Sequence, residues 1–567
     1  MTTVVFWIKG SGRLKSCVSD MINNGKINWE KITSLVIGVF LMLTYILGLF
    51  VPVTSDAGKY AAISRIIYET GDWINLTIHF EPYLQKPPLL FWITAPFYFL
   101  FGPSEVAFKL PVLLYSVLAI YSTYRFARLF YSRQTARLAA IMLATSEFYF
   151  LFHNDIHTDV LLTANVIFAM WQLAAYFKQK RLINMLLAGL GIGLALISKG
   201  PIGVFVPVTA VFAHLIYTRR LKDVFNLKIV AGVLLCLLIL ALGLTGLYNQ
   251  FGWEGLRFFF WENNAGRISG RIKGSSVDYF FYFHTALYIF LPWGILFFLS
   301  WFFEIKSLLK KKSIELYSLG AIVPYWIVIS VAQAQSPHYF MVLSPFMAVL
   351  SAKWLVFFLQ SERHRGMKKA LSVIQYITIV FMWVLILGLC LYAFPSKSFL
   401  FWGGLIVLMV PMLLPLPQTQ INRIMLRSVI AIVALSFSIN AHLFPAVFKY
   451  QSVIPACNTF NNRAKEGEML NSYLSQHREL FFYAKTPGYF LYDSADLKKC
   501  LTRQKSTWIY TNDEGLQQIA ESGAGFELVE SFKHRSLSGF TPGFINPATR
   551  HSRLKNMHLV HIFPAFN

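Results

Sequence analysis

Thirteen apolar runs dominate this 567-residue chain, and nothing else in it restricts the fold as strongly. They lie near 35–51, 105–124, 137–152, 160–177, 183–198, 201–217, 229–248, 284–303, 317–333, 339–359, 371–394, 399–415 and 427–444. Crossing about 30 Å of hydrocarbon takes roughly 17–25 helical residues, because only an internally hydrogen-bonded helix satisfies its backbone there. The spacing therefore predicts an all-α polytopic membrane domain of about 13 helices over 35–444. The stretch 87–102 (PPLLFWITAPFYFLFG) is shorter and proline-rich and reads as an interfacial or re-entrant helix.

Composition agrees. Hydrophobic residues make up 56% of the chain and charged residues only 14%, against about 25% charged in soluble domains. The formal charge of +24 could suggest nucleic acid, but most of the cations stand in short clusters between apolar runs, as the positive-inside rule arranges them. Nucleic acid is therefore not an expected partner. Clusters at Arg125/Arg128/Arg133, Lys178/Lys180/Arg181, Arg219/Arg220/Lys222, Lys306/Lys310–Lys312 and Arg363/Arg365/Lys368/Lys369 occupy alternate loops. That alternation puts the N-terminal segment, 1–34, in the cytoplasm, with no cleavable signal peptide expected. With an odd number of crossings, 445–567 lies outside.

The outer tail changes character. Strand-like TWIYT (507–511) precedes helix-like DEGLQQIAESG, so a small α/β extracytoplasmic domain is expected. Cys457 and Cys500 both fall there, where a disulfide could persist; a bridge and two free thiols are both open. No internal repeat is evident, which weighs against an inverted-repeat transporter.

Polar residues outside the clusters gather on the outer face. The long first loop (52–104) opens Thr54-Ser55-Asp56-Ala57-Gly58-Lys59-Tyr60 and continues with a run expected to be an amphipathic surface helix. It then reads Tyr83-Leu84-Gln85-Lys86-Pro87-Pro88, where the double proline fixes the backbone beside Lys86. The second outer loop is His153-Asn154-Asp155-Ile156-His157-Thr158-Asp159. Asp155 and Asp159, four apart, would share a face if helical. Two imidazoles and two carboxylates could ligate a metal or supply a base; the pattern does not support a metal strongly enough to expect one. Lys199, Arg267 and the Pro337-His338-Tyr339 turn complete the set. Each has a bland reading: Lys86 snorkelling to lipid, Asp56 or Asp159 serving a helix N-terminus. Taken together, outer-face cations that break the charge rule (Lys59, Lys86, Lys199, Arg267, His338) call for a negative partner, and phosphate is the natural one.

The acid after the first run, Lys59-Tyr60, Glu69-Thr70-Gly71-Asp72-Trp73 and Pro82-Tyr83-x-x-Lys86-Pro87-Pro88-Leu89 resemble the GT-C glycosyltransferases, above all the ArnT-type aminoarabinose transferases and the protein O-mannosyltransferases. Thr158-Asp159-x-x-Leu162, the Ser198-Lys199-Gly200-Pro201 turn, Glu262-Asn263 with Arg267, and Pro337-His338-Tyr339 add weaker matches over about 35–350. The resemblance implies transfer of a sugar from a polyprenyl-phosphate carrier, such as undecaprenyl phosphate, to a glycolipid or protein acceptor on the outer face of a bacterial inner membrane. Inversion and a monomer are expected. Asp56, Lys86 and Asp159 would be catalytic; Lys59, Lys86, Lys199, Arg267 and His338 would hold the donor phosphate. Tyr60, Tyr83, Asp155 and Tyr339 would bind substrate. Gln85 stands where the family often has Glu, and Lys59 where it has Arg, which loses the bidentate fork. Apart from the lipid-linked donor, no cofactor is expected with certainty. A protein or polysaccharide acceptor, and a transporter, remain as alternatives.

Overall fold

The structure, a computed structural model, describes residues 22–23, 26–27 and 29–563 except 79, 270–276, 362–363, 414–419, 476, 503–505 and 537–540. Cys17, Arg271, Lys273 and Arg363 lie outside the described residues, as does most of the basic N-terminal segment.

Apolar stretches become helices even where a proline falls inside them, as Pro96, Pro111, Pro207, Pro324 and Pro411 do. The order is α1 (Trp29–Leu49), α2 (Ser55–Thr70), α3 (Leu89–Phe101), α4 (Glu105–Phe130), α5 (Arg133–Ala144), α6 (Glu147–Asn154), α7 (Thr158–Gln179), α8 (Leu182–Lys199), α9 (Ile202–Tyr217) and α10 (Leu227–Arg257). There follow α11 (Phe281–Ile289), α12 (Gly294–Leu309), α13 (Tyr317–Val331), α14 (Ser344–Gln360), α15 (Arg365–Leu387), α16 (Phe399–Leu413), α17 (Gln420–Ser438) and α18 (Val453–Arg463). Ser104 and Ser132 show the capping logic: each side chain accepts the amide three residues on, from Ala107 and Thr135, where the helix leaves donors unpaired.

Among the described residues, nine helices are long and apolar enough to cross a membrane. Of the thirteen expected spans, 201–217, 317–333 and 399–415 are realised as helices of 15–16 residues. The run 284–303 is divided into α11 and α12 around Leu291-Pro292, because proline cannot donate its amide to a continuing helix. The stretch 87–102 forms the 13-residue α3.

Helix contacts are closest where side chains are absent. A Cβ on Gly189 of α8 would lie 2.1 Å from the Gly232 carbonyl oxygen of α10, so only glycine permits this backbone approach. The same principle operates between α10 and the first loop, where a Cβ on Gly246 would fall 1.7 Å from the Ile74 carbonyl oxygen.

Beyond α18 a five-stranded sheet forms from β1 (Leu470–Tyr473), β2 (Pro487–Leu491), β3 (Thr507–Asn512), β4 (Phe526–His534) and β5 (Lys555–Ile562), in the order β2-β1-β3-β5-β4. β1 is parallel to β2 and β3; β5 runs antiparallel to β3 and β4. Short helices α19 (Leu480–Tyr483), α20 (Ser494–Leu501) and α21 (Asp513–Glu521) connect the strands, the last two capped by Asp493 and Asn512. One buried apolar cluster runs from the long helices into this unit, taking in Phe481, Phe482, Trp508, Tyr510 and Leu559. Cys457 and Cys500 are not joined by a disulfide. The disulfide left open by the sequence is absent because Cys457 faces the cluster shared with the long helices, whereas Cys500 faces a second one with Tyr473 and Ile509.

Candidate functional site

The chain leaves α1 at Leu49 and starts α2 at Ser55, so Asp56 sits in the first turn of a helix, where a carboxylate is favoured by the dipole. Gly71, at φ 73°, ends α2 by returning its amide to the Ile67 carbonyl. The amphipathic surface helix expected here differs from what forms: Ala57 through Ser64 are all buried. The small residues Ala57, Gly58, Ala61 and Ala62 admit neighbours on every side.

Lys59, one turn after Asp56, holds it at 2.9 Å and donates to Gln85 Oε1 at 3.3 Å. Its ammonium, almost wholly sequestered, lies 5.0 Å from the Tyr60 ring centre and 5.9 Å from that of Tyr83. Gln85 and Lys86 line a small cavity of about 20 Å³ with Tyr83, Gln250, Phe259 and Asn263. Asn263 in turn donates to the Gln85 carbonyl at 3.4 Å. Arg267 belongs to the short helix Asn263–Ile268, and its side chain lies outside the described residues.

A second group converges from three helix ends. Asp159, in the first turn of α7, is paired with Lys199 at the end of α8, and both side chains are buried. The Lys199 ammonium also stands 4.3 Å from the Tyr339 ring centre. Asp155 ends α6 in an extended conformation and His157 precedes α7. This break means Asp155 and Asp159 do not share a helical face, a correction to the expected register. Asp155 instead takes His157 Nε2 at 3.2 Å. The His157 ring stacks on His338 with centres 4.2 Å apart, and His338 Nδ1 meets Ser336 Oγ at 2.9 Å. His157, Asp159 and His338 offer ligand atoms within 4.8 Å of one another. Two imidazoles and a carboxylate form a donor set suited to zinc-like ions.

The two groups are electrostatically one site. Burial works to raise the Asp56 carboxyl, but Lys59, His157 and Arg478 together bring it below the usual carboxylate range. Burial pushes the Tyr60 hydroxyl well above its ordinary range, and Tyr83 and the carboxylates of Asp56, Asp159 and Asp155 add to this. Tyr60 thus stays a neutral donor beside an ionised Asp56. The structure brings together Asp56, Lys59, Tyr60, Tyr83 and Gln85, with Lys86 in the adjoining cavity, and joins Asp155, Asp159, Lys199, His338 and Tyr339 through His157. Chemically this is an ionised carboxylate flanked by cations and phenols, an arrangement that can deprotonate or orient a nucleophile beside an anion.

Two site neighbours escape sequence reasoning. Arg478 reaches Asp56 at 3.6 Å, and Glu479 Oε2 accepts the Ser55 amide at 3.1 Å. Both come from the segment before α19, more than 400 residues away, with no motif around them.

With this geometry in view, the family described as dolichyl-phosphate-mannose-protein mannosyltransferase matches residues 85–244. An uncharacterized protein of Aquifex aeolicus is 25% identical over 359 residues, covering 63% of this chain and 68% of its own. An undecaprenyl phosphate-alpha-4-amino-4-deoxy-L-arabinose arabinosyl transferase of Proteus mirabilis is 25% identical, covering 59% of this chain and 61% of its own length. Its Pseudomonas aeruginosa counterpart aligns over 45% of its length. The crystal structure of ArnT from Cupriavidus metallidurans bound to undecaprenyl phosphate superposes with a TM-score of 0.74 at 16% identity, covering 93% of this chain and 97% of that one. The chain thus shares the fold of that ArnT structure and, over part of its length, resembles the mannosyltransferase family and the arabinosyl transferases.

Proposed function

We propose that the protein is a membrane glycosyltransferase that moves a sugar from undecaprenyl phosphate, or a similar polyprenyl phosphate, to lipid A or another glycolipid on the outer face of the inner membrane. The observation that carries the reading is Lys59, whose ammonium joins Asp56 to Gln85, next to Lys86 in the lined cavity. This linkage supports reading Asp56 as the base and Lys59 and Lys86 as the cations that grip the phosphate. The arabinosyl transferases that this chain resembles and the undecaprenyl phosphate bound to the superposed ArnT support the donor.

In this reading the sugar–phosphate bond breaks through an oxocarbenium-like state. Charge develops on the leaving phosphate, where Lys86 and Lys59 stabilise it, with Arg267 and His338 on the same anion. Asp56 takes the proton of an acceptor hydroxyl, or orients an acceptor that is already an ionised phosphate, and attack opposite the leaving group inverts the anomeric centre. Asp159, fixed by Lys199, holds the wall on which Tyr339 stands, and Asp155 fixes His157. Tyr60, a neutral phenol, and Tyr83 line the sugar side.

The topology belongs to the same proposal: a cytoplasmic 1–34, thirteen crossings over 35–444 with 52–104 outside, a periplasmic 445–567, and a monomer. Mass spectrometry of lipid A and of secreted proteins from a deletion strain tests the function. Loss of a sugar from lipid A supports it; loss from secreted proteins alone favours the protein-acceptor reading that the matched mannosyltransferase family suggests.

A further inference from the structure

The segment His477–Lys485 of the C-terminal unit lies along α2 at the point where Asp56 is presented. Five hydrogen bonds and a ring contact define the seam. The Val53 amide donates to the Tyr483 hydroxyl at 2.8 Å, and the Ser55 amide to Glu479 Oε2 at 3.1 Å. Arg65 of α2 donates to the carbonyls of Phe482, Ala484 and Lys485 at 3.0, 2.7 and 3.1 Å. The Tyr98 ring of α3 stacks on Phe482 with centres 6.4 Å apart. Gly58 makes the approach possible: a Cβ there would stand 2.5 Å from Glu479 Cβ and 2.7 Å from its Cα.

Ser55 adopts φ 52°, a left-handed conformation that costs a non-glycine residue energy and persists only where neighbours impose it. Glu479 is the neighbour. Its side chain is 4% exposed, one oxygen on the Ser55 amide and the other 3.1 Å from His477 Nδ1. A carboxylate on the first free amide of a helix also complements its dipole. Arg478, the adjacent residue, is thereby set 3.6 Å from Asp56 Oδ1, the oxygen that Lys59 also holds, with 39% of its side chain open. The charged and titratable groups facing Asp56 are then Lys59 from α2, His157 from the α6–α7 turn and Arg478 from the C-terminal unit.

We infer that the C-terminal unit is a working part of the active site, supplying two positioning residues: Glu479, which fixes the first turn of α2, and Arg478, which pairs with the Asp56 carboxylate and aims it. The inference deepens the proposed transferase function and rests on it for its catalytic arm. Its structural arm does not.

The test uses the full-length protein in detergent. In Glu479→Gln, hydrogen exchange at the amides of 55–58 accelerates about tenfold, while α7 and α8 keep wild-type protection. With undecaprenyl-phosphate-linked 4-amino-4-deoxy-L-arabinose as donor and lipid A as acceptor, Arg478→Gln lowers kcat about tenfold. It leaves the donor KM unchanged and moves the acid limb of the kcat profile up by about half to one pH unit. Arg478→Lys, which keeps the charge, returns that limb to its wild-type position. Unchanged exchange in Glu479→Gln, or an unmoved acid limb in Arg478→Gln, overturns the inference. A wild-type protein that transfers no sugar from any polyprenyl-phosphate-linked donor to lipid A or another glycolipid refutes the transferase reading instead, and the exchange experiment still decides whether Glu479 holds the helix.

Discussion

Replacing Lys199 by Met separates the architecture of the site from its chemistry. Lys199 and Asp159 form an ion pair with side chains 8% and 2% exposed, and the ammonium also rests on the Tyr339 ring. Lys199→Met keeps the volume but seals an unpaired carboxylate in the interior, a loss of about 3–5 kcal/mol. Asp159→Asn removes the charge that made the change costly. The double variant carries no buried charge and two apolar or amide groups of similar shape, so it recovers to within about 1.5 kcal/mol of the parent. The coupling energy read from the cycle is then at least about 2 kcal/mol. Unfolding of the purified protein in mixed micelles by increasing SDS fraction, followed by tryptophan fluorescence, measures all four corners. Transfer activity, measured alongside, stays low in the double variant because the cation beside Tyr339 is gone. A loss below about 1 kcal/mol in Lys199→Met, or strictly additive losses, refutes the view of this pair as a sealed unit.

Asp56→Asn removes the ionised carboxylate but keeps its shape, and Lys59 retains Gln85. Transfer falls more than about 100-fold, while stability drops by only about 1 kcal/mol, because Asp56 is half-exposed and Lys59 keeps Gln85, checked by the same two assays. Gly246→Ala places a methyl group against the Ile74 carbonyl, displaces the loop that borders the Lys86 cavity, and costs about 1–3 kcal/mol; the SDS titration reads the loss, and weaker undecaprenyl phosphate binding reports the displaced loop. Burial, with His477, Lys555 and Arg535 adding, holds the His534 imidazole down at about 3. Its neutral form is native, so the stability it preserves is complete above the unfolded value near 6.5 and is lost as pH falls toward 3. The loss is about 2 kcal/mol at pH 5. His534→Gln flattens the stability profile between pH 6.5 and 5, above the range where Glu468, pushed down to about 2, adds its own term.

How much was legible in the sequence follows from what each feature depends on. Helical runs such as Thr158–Gln179 and Leu227–Arg257 are encoded by local hydropathy, so their positions can be read from the residues alone. The first-loop group is legible for the same reason: Asp56 and Lys59 are one helical turn apart, and the double proline fixes Lys86 and Gln85 locally. What fails is whatever depends on a break or a long-range contact. The turn at Asp155–His157 parts two carboxylates that periodicity would have aligned. Leu291-Pro292 divides a run that hydropathy alone joins. The two outer cysteines share a compartment but face different clusters. Arg478 and Glu479 could not be found from the sequence, because their position beside Asp56 is created by docking of the C-terminal unit onto α2.

The central claim is that cations placed against the charge rule collect on one face to grip a lipid phosphate. Titration of the purified protein with undecaprenyl phosphate, comparing wild type with Lys86→Ala and Lys59→Ala, tests it most directly. The account predicts saturable binding by the wild type, weakened at least about tenfold in each variant, with dephosphorylated undecaprenol failing to compete. Equal affinity in all three proteins, or competition by undecaprenol as strong as by its phosphate, would contradict it.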